Sequence, residues 1–245
     1  EYHNTVMKWA KRNGYHRDFD KLGEEGYYGA HGPEFANALA SPFSYFKYYT
    51  GEGGLRVPLI MSGENLPQNV KSDAFCFFTD IAPTIYELVG LSTKANEGYA
   101  PITGKSMLPH ITNPKRPIYG QGVGVGLESG NSSAYFFEGY KIVKNNIRLG
   151  DNTWHLYHLP SDPGETNDIA AAHPVLFQKM LSAYQDYAEF VGVIQMPEGY
   201  YAEKEVGKKS LVAMLKPAIP FFLAITVCMV LLIMWRRKRK RLYKI

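Results

Sequence analysis

The residues best suited to chemistry lie in one stretch of the chain, between Lys47 and Pro58. Lys47 and Arg56 flank a glycine-rich segment, residues 51–54 (Gly-Glu-Gly-Gly), which leads into an apolar run at residues 57–61. Glycine lets the backbone approach a ligand closely, and two fixed cations suit an anion such as sulfate or phosphate. The same residues also fit a tight turn with exposed cations, so residue type alone leaves both interpretations open.

Regular elements are needed to position such a site, and the sequence predicts a strand and a helix after it. The apolar run 57–61 is bounded by turn residues, which predicts a buried strand. Asp80 is predicted to cap a helix with apolar residues at helical spacing, and Gly90 is predicted to end it. A strand followed by a helix indicates an α/β layer, which we assign to residues 1–116.

Residues 117–196 differ in character and predict a small α+β subdomain. Residues 135–137 and 140–144 are separated by a Glu-Gly pair, which predicts a hairpin, and residues 154–159 predict a further strand. A helix is predicted to begin at Pro174, with its apolar residues on one side. The expected subdomain is an antiparallel sheet with a covering helix.

The end of the chain predicts a membrane anchor. A polar linker, residues 197–216, precedes nineteen residues without a charge at 217–235. This length matches the hydrocarbon thickness of a bilayer, so the sequence predicts one C-terminal transmembrane helix. Residues 236–245 hold seven Lys or Arg and no acid, which favours a cytoplasmic C-terminus and a body outside the cytoplasm, periplasmic or extracellular. A buried core helix followed by a solvated basic tail is the alternative.

The charge of the rest of the chain argues against nucleic acid as a partner. The net charge is +4, but without residues 236–245 the chain carries 20 basic and 23 acidic side chains. A mildly acidic body gives no basic face for a phosphate backbone. The two cysteines, Cys76 and Cys228, do not form a disulfide framework and do not decide the compartment.

Several segments, taken in order, resemble the bacterial branch of the arylsulfatases. The segment that begins at Lys47 is similar to the one that carries the active-site lysine of sulfatases. The resemblance covers about residues 20–195, and the segments that carry it are residues 28–37, 40–42, 47–58, 80–90, 104–109 and 154–168.

This resemblance implies the C-terminal portion of a sulfatase, with an alkaline-phosphatase-like α/β core fragment. The implied activity is hydrolysis of sulfate esters, the implied partners are a sulfate ester substrate and a membrane, and no nucleic acid is implied. Members of the family use a formylglycine made from a cysteine as nucleophile, and a Ca²⁺ ion binds the sulfate oxygens. The resemblance further implies that Lys47 is catalytic, contacting the sulfate and stabilising charge on the leaving oxygen.

The chain departs from the family pattern at the nucleophile and at the metal. The motif Cys-x-(Pro or Ala)-x-Arg is absent, and no Asp-Asn pair precedes Lys47. We therefore expect Ca²⁺ and formylglycine in the full-length protein and none bound by this segment, which we expect to be inactive alone. Within the superfamily, a phosphodiester or phosphonate monoester hydrolase is an alternative, and a non-catalytic membrane-anchored binding protein is another.

Other polar residues have plainer interpretations. His155 and His158 are three apart, which places them on opposite faces of a strand and disfavours a shared metal. Residues 162–165 predict a turn, and Asp168 is predicted to cap a helix.

Overall fold

The structure is a computed structural model that describes residues 2–29, 32–64, 66–94, 99–147, 149–197, 200 and 202–242. Side chains are described within these ranges except at positions 2–5, 202, 203, 218, 221, 224 and 237–242. The chain divides into two compact units, Glu1–Val193 and Ile194–Ile245.

The first unit holds six α-helices and four strands among its described residues. The helices are α1 (Tyr2–Arg12), α2 (Pro33–Ala40), α3 (Glu52–Leu55), α4 (Ile81–Leu88), α5 (Leu108–Thr112) and α6 (Pro174–Val191). The strands are β1 (Val125–Ser129), β2 (Ser132–Phe137), β3 (Tyr140–Lys144) and β4 (His155–His158). Short 3-10 turns occupy Phe19–Lys21 and Phe78–Asp80.

The strands form one antiparallel sheet in the order β1-β2-β3-β4. The predicted hairpin is confirmed as β2 and β3, which pair with Phe137 opposite Tyr140. Its two-residue turn has positive φ at both positions, 48° at Glu138 and 82° at Gly139. Such turns match the right-handed twist of the flanking strands, which is why a Glu-Gly pair between apolar runs predicts them.

Both faces of the sheet are covered. On one face Ile142 and Leu156 are fully buried against Met180 and Tyr184 of α6. On the other face, which we call the loop face, Ala134, Phe136 and Val143 form a second cluster with Leu55 of α3 and Phe77 packed against it. The loop face therefore joins the sheet to the segment that contains the predicted anion site.

Local sequence signals predicted α4 and α6 correctly, whereas α1, α3 and α5 were not predicted. α4 begins after Asp80 and ends before Gly90, whose φ of 70° allows the left-handed C-terminal turn. α6 begins at Pro174 and is followed by Gly192, which has a φ of 73°. The sequence also predicts a short helix around residues 34–39, and α2 confirms it.

The predicted strand at residues 57–61 is wrong. No strand forms there in the described residues, and the apolar side chains are exposed, Val57 by 77% and Ile60 by 90%. An extended apolar segment becomes a strand only when a neighbour supplies the hydrogen bonds of a ladder. None of the described segments takes that position.

The second unit is helical where a linker was predicted. α7 spans Ala202–Leu215, a 3-10 turn spans Lys216–Ala218, and α8 spans Ile219–Leu242. α8 continues past Trp235 into the basic tail, since Lys and Arg are good helix formers. Positions 198, 199, 201 and 243–245 of the predicted linker and tail lie outside the described residues.

The predicted transmembrane helix is not confirmed. Among the described residues, no helix combines the length and the apolar character needed to cross a membrane. α8 carries residues 219–235 of that prediction, and it also includes charged residues at its C-terminal end. The side chains at 218, 221 and 224 are not among those described.

Candidate functional site

Lys47 lies on a loop between α2 and α3, residues 41–51, which we call the lysine loop. Its side chain is exposed, and its Nζ lies 5.2 Å from the centroid of the Tyr48 ring. Among the described residues, no carboxylate lies within ion-pair distance of this amine. The ammonium is therefore available to an external anion.

The backbone of the lysine loop is sharply bent. Tyr45 and Tyr48 both have positive φ, 67° and 88°. The rings of Tyr45 and Tyr49 stack with centroids 4.5 Å apart, and the Tyr45 amide donates to Asn37 Oδ1 at 2.8 Å. These contacts hold bulky residues in a conformation that they rarely adopt without support from their neighbours.

The glycine pair that follows packs directly beneath the lysine loop. A Cβ at Gly53 would lie 2.3 Å from the carbonyl oxygen of Tyr45, and one at Gly54 would lie 2.2 Å from that of Tyr49. The Gly53 amide donates to the Ser44 carbonyl at 3.0 Å. The two glycines therefore bring backbone close to backbone, rather than to a ligand.

Polar side chains tie both ends of the lysine loop to the small subdomain. Ser44 Oγ donates to the carbonyl oxygen of Gly164. At the other end, the amide and the hydroxyl of Thr50 donate to Asn145 Oδ1 at 2.9 and 3.0 Å. The loop and the sheet are thus one structural assembly, although they belong to different predicted domains.

A buried ion cluster lies between α3 and the sheet. Lys141 of β3 is completely buried on the loop face, and its Nζ lies 3.0 Å from Glu52 Oε1 and 2.8 Å from Glu165 Oε1. Glu165 Oε2 accepts the backbone amide of Glu52 at 2.6 Å. In the described part of the chain, the ion pair with Lys141 is the sole polar contact of Glu165 Oε1.

Burial sets the protonation preference of this cluster. It raises the pKa of the Glu165 carboxyl above its ordinary value, and the nearby Lys141 ammonium offsets that rise only in part. The Lys141 ammonium thus lies between the carboxylates of Glu52 and Glu165 in a buried position.

A second buried carboxylate, Asp80, joins two of the segments that resemble sulfatases. Asp80 is completely buried and accepts the amide of Phe77 at 2.6 Å, the amide of Lys105 at 2.7 Å and the hydroxyl of Tyr119 at 2.7 Å. Burial first and this hydrogen bond second raise the pKa of Tyr119. The predicted cap is corrected, because the carboxylate binds these groups instead of the first amides of α4.

A cleft of about 310 Å³ lies between the lysine loop and the edge of the sheet. Tyr45 and Tyr157 line it, together with His155 and Asp151. His155 Nδ1 lies 2.8 Å from Asp168 Oδ2, and its Nε2 lies 3.0 Å from Asp151 Oδ2. His155 is therefore already paired with two carboxylates, of which Asp151 also lines the cleft.

The pKa values of the cleft residues agree with this pairing. Hydrogen bonds from Thr153, and then from His155, lower the pKa of Asp151 to about 2. Burial would lower the pKa of His155, but its hydrogen bonds to Asp168 and Asp151 outweigh that effect and raise it. Opposite charges a short distance apart stabilise each other in their ionised forms.

The other predicted polar residues have structural roles. Residues 162–165 form the predicted turn, in which the Asp162 carboxylate accepts the amides of Thr166 and Asn167. The prediction that Asp168 caps a helix is wrong, because its carboxylate accepts the amides of Leu156 and Ala170, well before α6.

The described residues do not fit the metal or the nucleophile of a sulfatase. In the part of the chain that the structure describes, no three His, Cys, Asp or Glu side chains are grouped to hold a metal ion. Burial first and the charge of Asp80 second raise the pKa of the Cys76 thiol, which disfavours the reactive thiolate. No chemical step is therefore assigned to Ca²⁺ or formylglycine on these residues.

Sequence reasoning missed the ion cluster. Lys141 lies two positions before Val143 in a largely apolar strand, so both side chains point to the same face of the sheet. A charged residue on a buried face indicates that a partner of opposite charge is buried beside it. Glu52 and Glu165 could not be identified as those partners, because they lie 89 and 24 positions away along the chain.

The architecture is an α/β fold with a four-stranded antiparallel sheet and a covering helix, and known proteins share it. Ps i-CgsB has a crystal structure with a TM-score of 0.53 and 20% identity, over 71% of this chain and 37% of that chain. The structure of its complex with k-i-k-neocarrahexaose gives a TM-score of 0.54 and 21% identity, again over 71% of this chain and 37% of that chain. At this identity the likeness concerns the fold alone.

In sequence, the chain is similar to an uncharacterized sulfatase of Schizosaccharomyces pombe (strain 972). The two are 28% identical over 208 residues, which is 81% of this chain and 35% of that protein. No family model matches the chain. The resemblance to sulfatases is thus confirmed, and the chain fits a fragment of a sulfatase, since it spans about a third of the length of the relatives it matches.

Proposed function

We propose that this chain is the C-terminal part of an arylsulfatase-type sulfuric ester hydrolase, in which Lys47 contacts the sulfate. The observation that carries the proposal is the lysine loop itself. Its exposed ammonium has no carboxylate partner among the described residues and lies on a firmly anchored loop. The segment resembles the active-site lysine segment of sulfatases.

The chemistry of the reaction gives this ammonium its role. Cleavage of the S–O bond of a sulfate ester leaves negative charge on the departing oxygen. A fixed cation near that oxygen stabilises the transition state more than the ground state, and so raises the rate.

Ca²⁺ and formylglycine are expected in the full-length protein, and the remaining two-thirds of a sulfatase would supply them. Large apolar side chains are exposed at Val57, Ile60 and Phe78, and the missing part of a sulfatase would be expected to cover such residues. We accordingly expect residues 1–245 alone to turn over no sulfate ester.

A panel of substrates tests the activity. The full-length protein should release nitrophenol from nitrophenyl sulfate and sulfate from sulfated carbohydrates. The complex of Ps i-CgsB with k-i-k-neocarrahexaose is the reason to include the carbohydrates. Faster turnover of nitrophenyl phosphate or of a phosphodiester would instead indicate a phosphate-transfer enzyme of the same superfamily. Binding of these esters without turnover would indicate a non-catalytic membrane-anchored protein.

We also propose that residues 217–235 anchor the chain in a membrane, with its body outside the cytoplasm. The support lies in the sequence, where nineteen uncharged residues precede seven basic ones. A cysteine inserted after Lys240 should resist a membrane-impermeant thiol reagent in intact cells, whereas Lys71→Cys in the body should react. Labelling at both positions would contradict this orientation.

A further inference from the structure

We propose that the cluster of Lys141, Glu52 and Glu165, here called the clamp, positions the lysine loop for sulfate ester cleavage. Among the described residues, none of the three forms an ion pair or hydrogen bond with Lys47, so they are positioning residues that act through it. The inference rests on the proposed function and adds to it the groups that hold its cation.

The clamp holds Glu52 of α3 at two groups, its carboxylate against β3 and its amide against the turn that contains Glu165. The Glu52 side chain lies 3.0 Å from Lys141 Nζ, and the Glu52 amide donates to Glu165 Oε2 at 2.6 Å. Glu165 itself lies 2.8 Å from Lys141 Nζ. A residue held through both its backbone and its carboxylate can neither rotate nor slide without breaking a buried charged contact.

The clamp is coupled to the lysine loop through α3 and the turn at Gly164. The residue after Glu52 is Gly53, whose amide donates to Ser44 O at 3.0 Å, and Ser44 Oγ donates to the carbonyl oxygen of Gly164, next to Glu165. The start of the loop is therefore tied to both carboxylate-bearing segments. Lys47, three residues beyond Ser44, takes its position from these contacts.

The composition of the clamp favours a role in geometry over a role in stability. Lys141 is completely buried, and its Nζ also lies 5.1 Å from the centroid of the Phe136 ring. Desolvating ions costs free energy, and apolar side chains of the same volume often stabilise a fold as well or better. Ion pairs are directional, however, so one ammonium between two carboxylates fixes where two segments meet.

A double-mutant cycle in the full-length protein tests the proposal. Lys141→Met is made with Lys47 intact and with Lys47→Ala, and hydrolysis of nitrophenyl sulfate is measured for each. With Lys47 intact, we expect kcat to fall by about 100-fold with KM changed less than about threefold, since a misplacement near 1 Å costs that much. In the Lys47→Ala background, the further loss should be under about threefold, because the two changes remove one contribution.

A matched control and a milder variant separate positioning from folding. Lys144→Met removes a cation from the same strand, where its Nζ lies 5.4 Å from the Trp154 ring centroid, and should leave kcat unchanged. Glu165→Gln keeps the shape and an acceptor for the Glu52 amide, so it should fold even if Lys141→Met does not. It should lose less activity than Lys141→Met and should likewise lose little more after Lys47→Ala.

Hydrogen exchange distinguishes failure of this inference from failure of the proposed function. The amides of Thr50 and Gly53 should exchange faster in Lys141→Met and Glu165→Gln than in the parent, and equally in Lys144→Met and the parent. Equal losses of kcat with and without Lys47 would overturn the positioning role. A parent that hydrolyses no sulfate ester would overturn the proposed function, and faster exchange at those two amides would then still support the clamp.

Discussion

Replacing Gly54 by alanine should displace the lysine loop and lower activity. A Cβ there would lie 2.2 Å from the Tyr49 carbonyl oxygen and 2.7 Å from that of Phe46. Both atoms are backbone, so no side chain can turn aside. Restoring ordinary contact at 3.4 Å requires one backbone segment to move by about 1.2 Å. Both carbonyl oxygens belong to the lysine loop, so the shift acts on the segment that carries Lys47.

The magnitude of the effect follows from that displacement. Overpacking of this kind costs about 1–3 kcal/mol, which lowers the melting temperature by roughly 2–10 °C for a domain of this size. Helix propensity alone would make alanine about 1 kcal/mol more stable than glycine in α3. The sign of the change therefore distinguishes the steric argument from propensity. A shift of this size should also lower kcat by about 100-fold in the full-length protein.

The assay is thermal unfolding together with sulfate ester turnover, and Gly120→Ala is the matched control. A Cβ at Gly120 would meet no atom within 4 Å, so this variant should keep the parent's melting temperature and kcat. If Gly54→Ala behaved like Gly120→Ala in both measurements, the close packing of α3 beneath the lysine loop would be refuted.

Three further predictions concern buried and paired ionisable groups. Asp80→Asn should destabilise the chain by about 2–4 kcal/mol in urea unfolding, since the buried carboxylate accepts three hydrogen bonds. Asp73→Asn, at an exposed position, should change the stability little. Equal urea midpoints for the two variants would contradict this. The raised pKa of His155 means that its contribution to stability is full below its ordinary value of 6.5 and is lost as pH rises through the raised value. His155→Gln should therefore weaken the fall in melting temperature as pH rises above about 6.5, and an unchanged slope would contradict the pairing. Cys76, with its raised pKa, should react with iodoacetamide more slowly in the folded chain than in urea, and equal rates would argue against its burial.

The elements that could be predicted from sequence are those whose signals are local. α4 and α6 each have a start signal, an apolar stripe and a glycine beyond the last turn, and the hairpin has a two-residue turn between apolar runs. The strand at 57–61 failed because a strand needs a neighbour, and apolar character alone does not provide one.

The candidate site could be predicted only in part. The lysine segment is visible in the sequence because cations and glycines are close together there. The clamp is not visible, because Glu52 and Glu165 are 113 positions apart and come into contact only in the folded chain. Of the two interpretations of the glycine pair, the tight turn fits the structure, since the pair packs against the backbone of Ser44, Tyr45 and Tyr49.

The role of Lys47 is tested most directly by Lys47→Ala in the full-length protein, with nitrophenyl sulfate as substrate. Removing a group that stabilises a developing oxyanion should lower kcat by about 100- to 1000-fold. The melting temperature should stay within about 1 °C of the parent, because this exposed side chain supports no core contact. Lys71→Ala, at another exposed lysine, should leave both quantities unchanged. Turnover by Lys47→Ala equal to that of the parent would contradict the assignment of this ammonium to the reaction.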